Sequence, residues 1–157
     1  MERKETQPTA IWNEDKRKSL KDFITVHSQK QSEERKLTNE LLAIQFQIED
    51  YIQSENISHK IRLLDFIKLY LKTLNVTQRK LAELFEMKDS NLHKYLSGER
   101  KLNTIMVRKL SSFSNLSAEY WLRVEVKNEL IEINKENDKN NDYQKYDYRN
   151  LLSTFGN

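Results

Sequence analysis

Residues 77–102 read TQRKLAELFEMKDSNLHKYLSGERKL, and the spacing of apolar side chains in this stretch decides the fold. Thr77 is a residue type that favours the N-cap position, and the apolar positions after it predict a helix over Gln78–Phe85. The inner face of this helix carries Leu81, Ala82 and Phe85. Because Ala82 is small, a second helix can cross the first one closely.

A second short helix is predicted over Asp89–Leu96, after a turn at Met87 and Lys88. Its inner face carries Leu92 and Leu96, with Tyr95 beside them. Gly98 suits the left-handed position that ends a helix, because glycine has no Cβ to clash there. The stretch therefore predicts two short helices that meet at the Met87 turn.

The outer face of the second helix is polar. It carries Asp89, Ser90, Asn91, His93, Lys94 and Ser97. Short polar groups and one long cation are what contacts to base edges require. Residues 75–110 also contain 8 basic and 4 acidic side chains, although the whole chain has a net charge of only +3. This local excess is compatible with a phosphate-binding surface and also with an ordinary solvated helical face.

The rest of the chain is predicted to be helical as well. It has only 2 Gly and 1 Pro, and no alternating Val, Ile and Thr runs that would indicate a sheet. Residues 1–36 are predicted to be a polar arm with one short helix near Lys16–His27, and residues 134–157 a disordered tail. Apolar periodicity predicts further helices over residues 37–56, 61–73, 104–113 and 118–133, with Ser58 and Ser117 as caps. The sequence therefore predicts an all-α fold.

The composition argues against several other classes of protein. The chain has no cysteine, so it can form neither disulfides nor thiolate metal sites. His27, His59 and His93 are scattered without metal-ligand spacing, and two glycines cannot build a phosphate-binding loop. We expect no enzymatic activity, no cofactor and no metal. No window approaches the roughly 18 apolar residues of a membrane span, so we expect a cytoplasmic protein.

The helix pair resembles the helix-turn-helix of Cro/repressor-type (XRE-like) regulators. The matching features are Gln78, Ala82, Met87, Leu92 and the Ser97-Gly98 pair. The resemblance implies a five-helix DNA-binding domain over residues 58–133. It also implies that Gln78 contacts the DNA backbone and braces the recognition helix, and that Asp89 and Ser90 read bases. Arg100 and Lys101 follow that helix and could bind phosphate.

Two positions leave alternatives open. Asp89 could accept a hydrogen bond from a cytosine amino group, or it could cap the helix. Glu86 stands in the turn where the family usually has glycine. If this residue is left-handed, glutamate there costs about 1 kcal/mol relative to glycine. The turn could instead be remodelled.

The run LSAEYWLRVEVKNEL, Leu116–Leu130, resembles the C-terminal helix of HigA-type antitoxins through its Trp-Leu pair and its Asn-x-Leu. That family implies a homodimer, with Trp121, Leu122 and Val126 at the interface. Packing of Trp121 and Leu122 in the protein's own core is the alternative. The family also implies a protein that represses its own operon on double-stranded DNA and neutralises a small RelE-like mRNA endonuclease.

Residues 1–57 lie outside the predicted five-helix domain, so they are a possible toxin-binding element. The residues that we expect to contact the toxin are Leu37, Leu41, Ile44, Ile48 and Tyr51. Packing of this helix on the domain as a sixth helix is equally compatible with its pattern, and the tail of residues 134–157 is a second candidate for the toxin contact. A stand-alone regulator without a toxin and a helical protein-interaction module remain alternative functions.

Overall fold

The structure is a computed structural model that describes residues 14–56, 58–137 and 142–152, and most of these residues are helical. The helices are α1 (Glu14–Gln53), α2 (Leu63–Leu74), α3 (Gln78–Leu84), α4 (Asp89–Leu96), α5 (Thr104–Ser114), α6 (Ala118–Asn137), a 3-10 turn (Asp142–Tyr146) and α7 (Arg149–Leu152). These ranges contain no strand, and the predicted all-α class is confirmed. None of their helices is both long and apolar enough to cross a membrane.

The chain forms two compact units, Met1–Leu42 and Ala43–Asn157. The described part of the first unit, residues 14–42, is helical, and none of its side chains is buried. We predicted a short helix near Lys16–His27 and a separate helix over residues 37–56, but no glycine or proline interrupts residues 14–53, and α1 is one continuous helix through them. Residues 1–13 of the predicted arm lie outside the described residues.

The second unit begins inside α1, so the predicted boundary between residues 57 and 58 is wrong. Ile44, Ile48 and Tyr51 are buried in this unit. The Tyr51 ring lies 5.8 Å from that of Phe66 on α2, and its hydroxyl accepts a hydrogen bond from the Ile61 amide at 3.1 Å. The end of α1 is therefore part of the domain, as the sixth-helix alternative expected.

The end of α1 is held by a buried cation on α6. The Lys127 ammonium donates hydrogen bonds to the carbonyls of Tyr51 and Ser54, and it lies 4.3 Å from the centre of the Tyr51 ring. Desolvation lowers the pKa of this ammonium. Since carbonyls at a helix C-terminus lack partners within the helix and carry partial negative charge, Lys127 acts as a C-terminal cap for α1.

The end of α1 and helices α2 to α6 all contribute buried apolar side chains to the core of the second unit. Trp121 is fully buried, and its indole Nε1 donates a hydrogen bond to Ser114 Oγ at 3.0 Å. The Tyr70 ring lies 6.2 Å from it, and burial raises the pKa of Tyr70 to about 12. The other fully buried large side chains are Phe66, Ile48, Ile67, Leu81, Leu92, Leu96, Met106, Leu110, Ile131 and Val124.

The predicted helices α2 to α6 are all present, and most of their ends agree with the sequence. Ser58 does not cap α2, because that helix begins at Leu63 and Arg62 occupies the N-cap position. The last helix, α6, continues beyond the predicted end at Ile133 to Asn137. In the tail, Asp142–Tyr146 and Arg149–Leu152 form short helical turns with no buried residue.

Candidate nucleic-acid interface

The turn between α3 and α4 is built as the sequence suggested. The Thr77 side chain accepts a hydrogen bond from the Lys80 amide at 3.2 Å and caps α3. Glu86 is left-handed, with φ of 56°. The amide of Met87 then donates to the Ala82 carbonyl at 3.0 Å, which closes the turn. The turn therefore keeps the left-handed conformation that usually favours glycine, although a glutamate occupies the position.

Glu86→Gly is expected to raise the free energy of unfolding by about 1 kcal/mol, because glycine adopts the left-handed conformation without a Cβ clash. Urea unfolding followed by circular dichroism would measure the change. Glu83→Gly is the matched control: Glu83 is exposed inside α3, where glycine lowers stability by about 1 kcal/mol. Destabilisation of both variants would contradict the strain assigned to Glu86.

Burial of one face of α4 leaves the opposite face open. Leu92, Tyr95 and Leu96 are buried, which fixes the rotation of the helix about its axis. Asp89, Ser90 and His93 are exposed, and Asn91, Lys94 and Ser97 are half-buried. The second unit therefore presents the predicted polar face of α4 outward, with Ser90 exposed and Lys94 half-buried.

Asp89 connects α4 to α3. Its Oδ1 accepts a hydrogen bond from Gln78 Nε2 at 2.9 Å. The capping role considered for Asp89 is wrong, because Lys88 occupies the N-cap position and Asp89 is the first residue of the helix. Gln78 instead braces the start of α4, as the resemblance implied.

Two cations follow α4, in different environments. The Arg100 guanidinium lies over the ring of Tyr95, 5.2 Å from its centre, and the Arg100 amide donates to the Lys94 carbonyl at 2.9 Å. Lys101 instead pairs with Glu129 of α6 at 3.1 Å. Stacking on a buried ring orients Arg100 without neutralising it, so Arg100 is the better phosphate ligand of the two.

Lys88 is a further candidate that the sequence analysis did not single out for a contact. It is exposed at the N-cap of α4, directly before Asp89, and the described residues offer it no side-chain partner. Its position directly before the first polar residue of α4 was the feature of the sequence that could have identified it. Lys88 adds positive charge where the helix starts.

The predicted dimer residues separate into two groups. Trp121 is fully buried, so its assignment to an interface is wrong and the core alternative is correct for it. Leu122 and Val126 are exposed. They continue along α6 in a stripe of exposed apolar side chains, which we call the α6 stripe: Leu122, Val126, Leu130 and Ile133.

The predicted toxin-binding residues also fall into a buried group and an accessible group. Ile44, Ile48 and Tyr51 lie in the core, where a partner could reach them only by opening the fold. Leu37 is exposed and Leu41 is half-buried, both in the first unit. The sequence pattern could not separate these groups, because all five residues continue one apolar repeat.

Comparison with known protein families agrees with the helix-turn-helix geometry of α3 and α4. The helix-turn-helix family matches residues 67–121, from within α2 to the first turn of α6. No curated protein and no solved structure matches the chain. The predicted helix-turn-helix is therefore confirmed for this segment, and with it the DNA-binding class of the domain.

Proposed function

We propose that this chain is a transcription regulator that recognises a specific operator with α4 and acts by binding alone, without catalysis. The observation that carries this proposal is the outward polar face of α4, held by buried Leu92 and Leu96. In a helix-turn-helix, the second helix enters the major groove by its N-terminal residues. Asp89 and Ser90 occupy that end of α4, and Lys94 lies about one turn further on.

Positively charged side chains near α4 supply the contacts to the DNA backbone. Lys88 lies before the helix, and Arg100 follows it on the stacked Tyr95 ring. Phosphate contacts from such side chains fix the orientation of a protein on the duplex, whereas base contacts supply sequence preference. The residues of α4 and those that flank it thus include both kinds of group.

Arg100→Ala is expected to weaken binding to all duplexes alike, because one phosphate contact is lost. The slope of log K against log salt concentration should become shallower by about one unit.

Lys94→Ala is expected to change the preference among operator sequences by about 1–3 kcal/mol if Lys94 contacts a base. Fluorescence anisotropy over a salt series would measure both effects.

Lys30→Ala, an exposed lysine of the first unit, is the control for the change in net charge. It is expected to leave the slope and the preference unchanged. Unchanged affinity of Lys94→Ala and Arg100→Ala for every duplex would refute DNA binding through this face and would favour a helical protein-interaction module.

A homodimer is the proposed form on DNA. The α6 stripe places four exposed apolar side chains on one face of one helix, which is unusual for a surface without a partner. Two-fold regulators bind half-sites about 34 Å apart. Pairing of the α6 stripe with the same stripe of a second copy would bury these side chains and set two α4 helices against one duplex.

Neutralisation of a toxin is the second candidate function. The first unit lies outside the residues that match the helix-turn-helix family, and its helix exposes Leu20, Phe23 and Ile24 at helical spacing. A small RelE-like toxin that covers this face would make the chain an antitoxin that represses its own operon. Co-purification with the small product of an adjacent gene is the expected result, and its absence would favour a stand-alone regulator.

A further inference from the structure

The carboxylate of Asp89 has one engaged and one free oxygen. Oδ1 accepts the hydrogen bond from Gln78 Nε2, whereas Oδ2 has no partner within the described part of the chain. Asp89 is exposed and is the first residue of α4. The free oxygen is therefore an acceptor at the end of the helix that enters the groove.

Gln78 restricts the direction of this carboxylate. It is the first residue of α3, a helix anchored by the Thr77 cap and by buried Leu81 and Ala82. Gln78 is half-buried, so its amide has fewer orientations open to it than that of a fully exposed glutamine. A hydrogen bond from such a donor holds Asp89 in one orientation before DNA arrives, which lowers the entropic cost of binding.

The chemistry of a carboxylate selects among the four base edges. Ionised aspartate only accepts hydrogen bonds. In the major groove, guanine presents two acceptors and thymine an acceptor and a methyl group, so neither can donate to it. Adenine presents its amino donor beside the N7 acceptor, whereas cytosine presents its N4 amino group as the distinctive donor.

We propose that each operator half-site carries a cytosine whose N4 amino group donates to Asp89 Oδ2, and that Gln78 is the positioning residue for this contact. This inference rests on the proposed DNA-binding function. A base without a suitable amino group leaves the carboxylate desolvated and unpaired, which penalises binding. The neighbouring Lys88 and Lys94 offset the repulsion between this acid and the phosphates.

The test is selection of duplexes from a randomised pool by the full-length chain, followed by affinity measurements on the selected site. The wild-type chain is expected to enrich one invariant cytosine in each half-site. Asp89→Asn is expected to shift that position to adenine, because an amide donates to N7 and accepts from N6 together. Glu99→Gln, which removes an exposed acid just after α4, is the charge control and should retain cytosine.

A base analogue tests the contact itself. Replacing the selected cytosine by 2-pyrimidinone, which lacks the amino group, is expected to weaken wild-type binding about tenfold and Asp89→Ala binding hardly at all. Gln78→Ala should keep the cytosine preference but reduce it several-fold at unchanged folding stability. An enriched motif without cytosine, or one that Asp89→Asn leaves unaltered, would overturn the inference while DNA binding stands; no enriched motif at all would overturn the proposed function with it.

Discussion

Trp121→Ala is expected to lower the free energy of unfolding by about 3–5 kcal/mol. The indole is fully buried on α6, and its loss would leave a cavity beside Tyr70 and remove the hydrogen bond from the indole to the Ser114 hydroxyl. Typical domains are stable by about 5–15 kcal/mol, so this single change could unfold a large part of the population. Urea unfolding monitored by circular dichroism at constant protein concentration would measure it.

Leu122→Ala is the matched control, one residue further along the same helix. Leu122 is 43% exposed, so its truncation is expected to cost less than about 1 kcal/mol in the monomer. It should instead weaken self-association, which sedimentation over a dilution series would detect. A loss of stability as large as that of Trp121→Ala would contradict the exposure of the α6 stripe, and unchanged association would refute the proposed dimer.

The helix-turn-helix could be predicted almost residue by residue, because its signals are local. Thr77 caps the helix that follows it, and Gly98 has the left-handed φ of 86° that its position suggested. The predicted bounds of α4 agree with the structure at both ends. Apolar spacing, a cap and a stop signal all lie within 26 residues of sequence, so no distant contact was needed.

The faces of α6 could not be assigned from the sequence. Apolar residues occur on two sides of this helix: Trp121, Val124 and Ile131 are buried, whereas Leu122, Val126 and Leu130 are exposed. Periodicity shows that a helix has an apolar face, but it does not show which face meets the same chain. The buried position of Lys127 could not be predicted either, since its carbonyl partners lie at the end of α1 and just after it, more than 70 residues earlier in the chain.

The boundary inside α1 was missed for a related reason. The boundary between Leu42 and Ala43 lies within a continuous helix, with no glycine, proline or cap near it. The helix is exposed before this point and has one buried face after it. A cap or a breaker marks the end of a helix, but burial against distant helices leaves no such mark. This boundary now determines where the chain can be cut without removing part of the core.

Removal of residues 1–42 is expected to preserve folding and operator binding, because the second unit keeps all of its buried residues. Under the proposed antitoxin function, the same removal is expected to abolish capture of the toxin. Removal of residues 1–57 is expected to unfold the domain. That deletion takes away Ile44, Ile48 and Tyr51, whose burial contributes about 5–9 kcal/mol at roughly 1.5–3 kcal/mol each. It also leaves the buried Lys127 ammonium without its carbonyl partners.

Thermal unfolding, a gel shift on the upstream DNA and co-purification with the adjacent gene product would be measured for both truncated chains. Phe23→Asp in the full-length chain is the control for the shorter cut, because Phe23 is 68% exposed and its replacement removes apolar contact area without shortening the helix. Loss of toxin capture in this variant, at unchanged DNA affinity, would place the contact on the exposed face of the first unit. If residues 43–157 still captured the toxin, the first unit would be dispensable for it, and the contact would have to lie in the second unit, where the tail of residues 134–157 is the candidate.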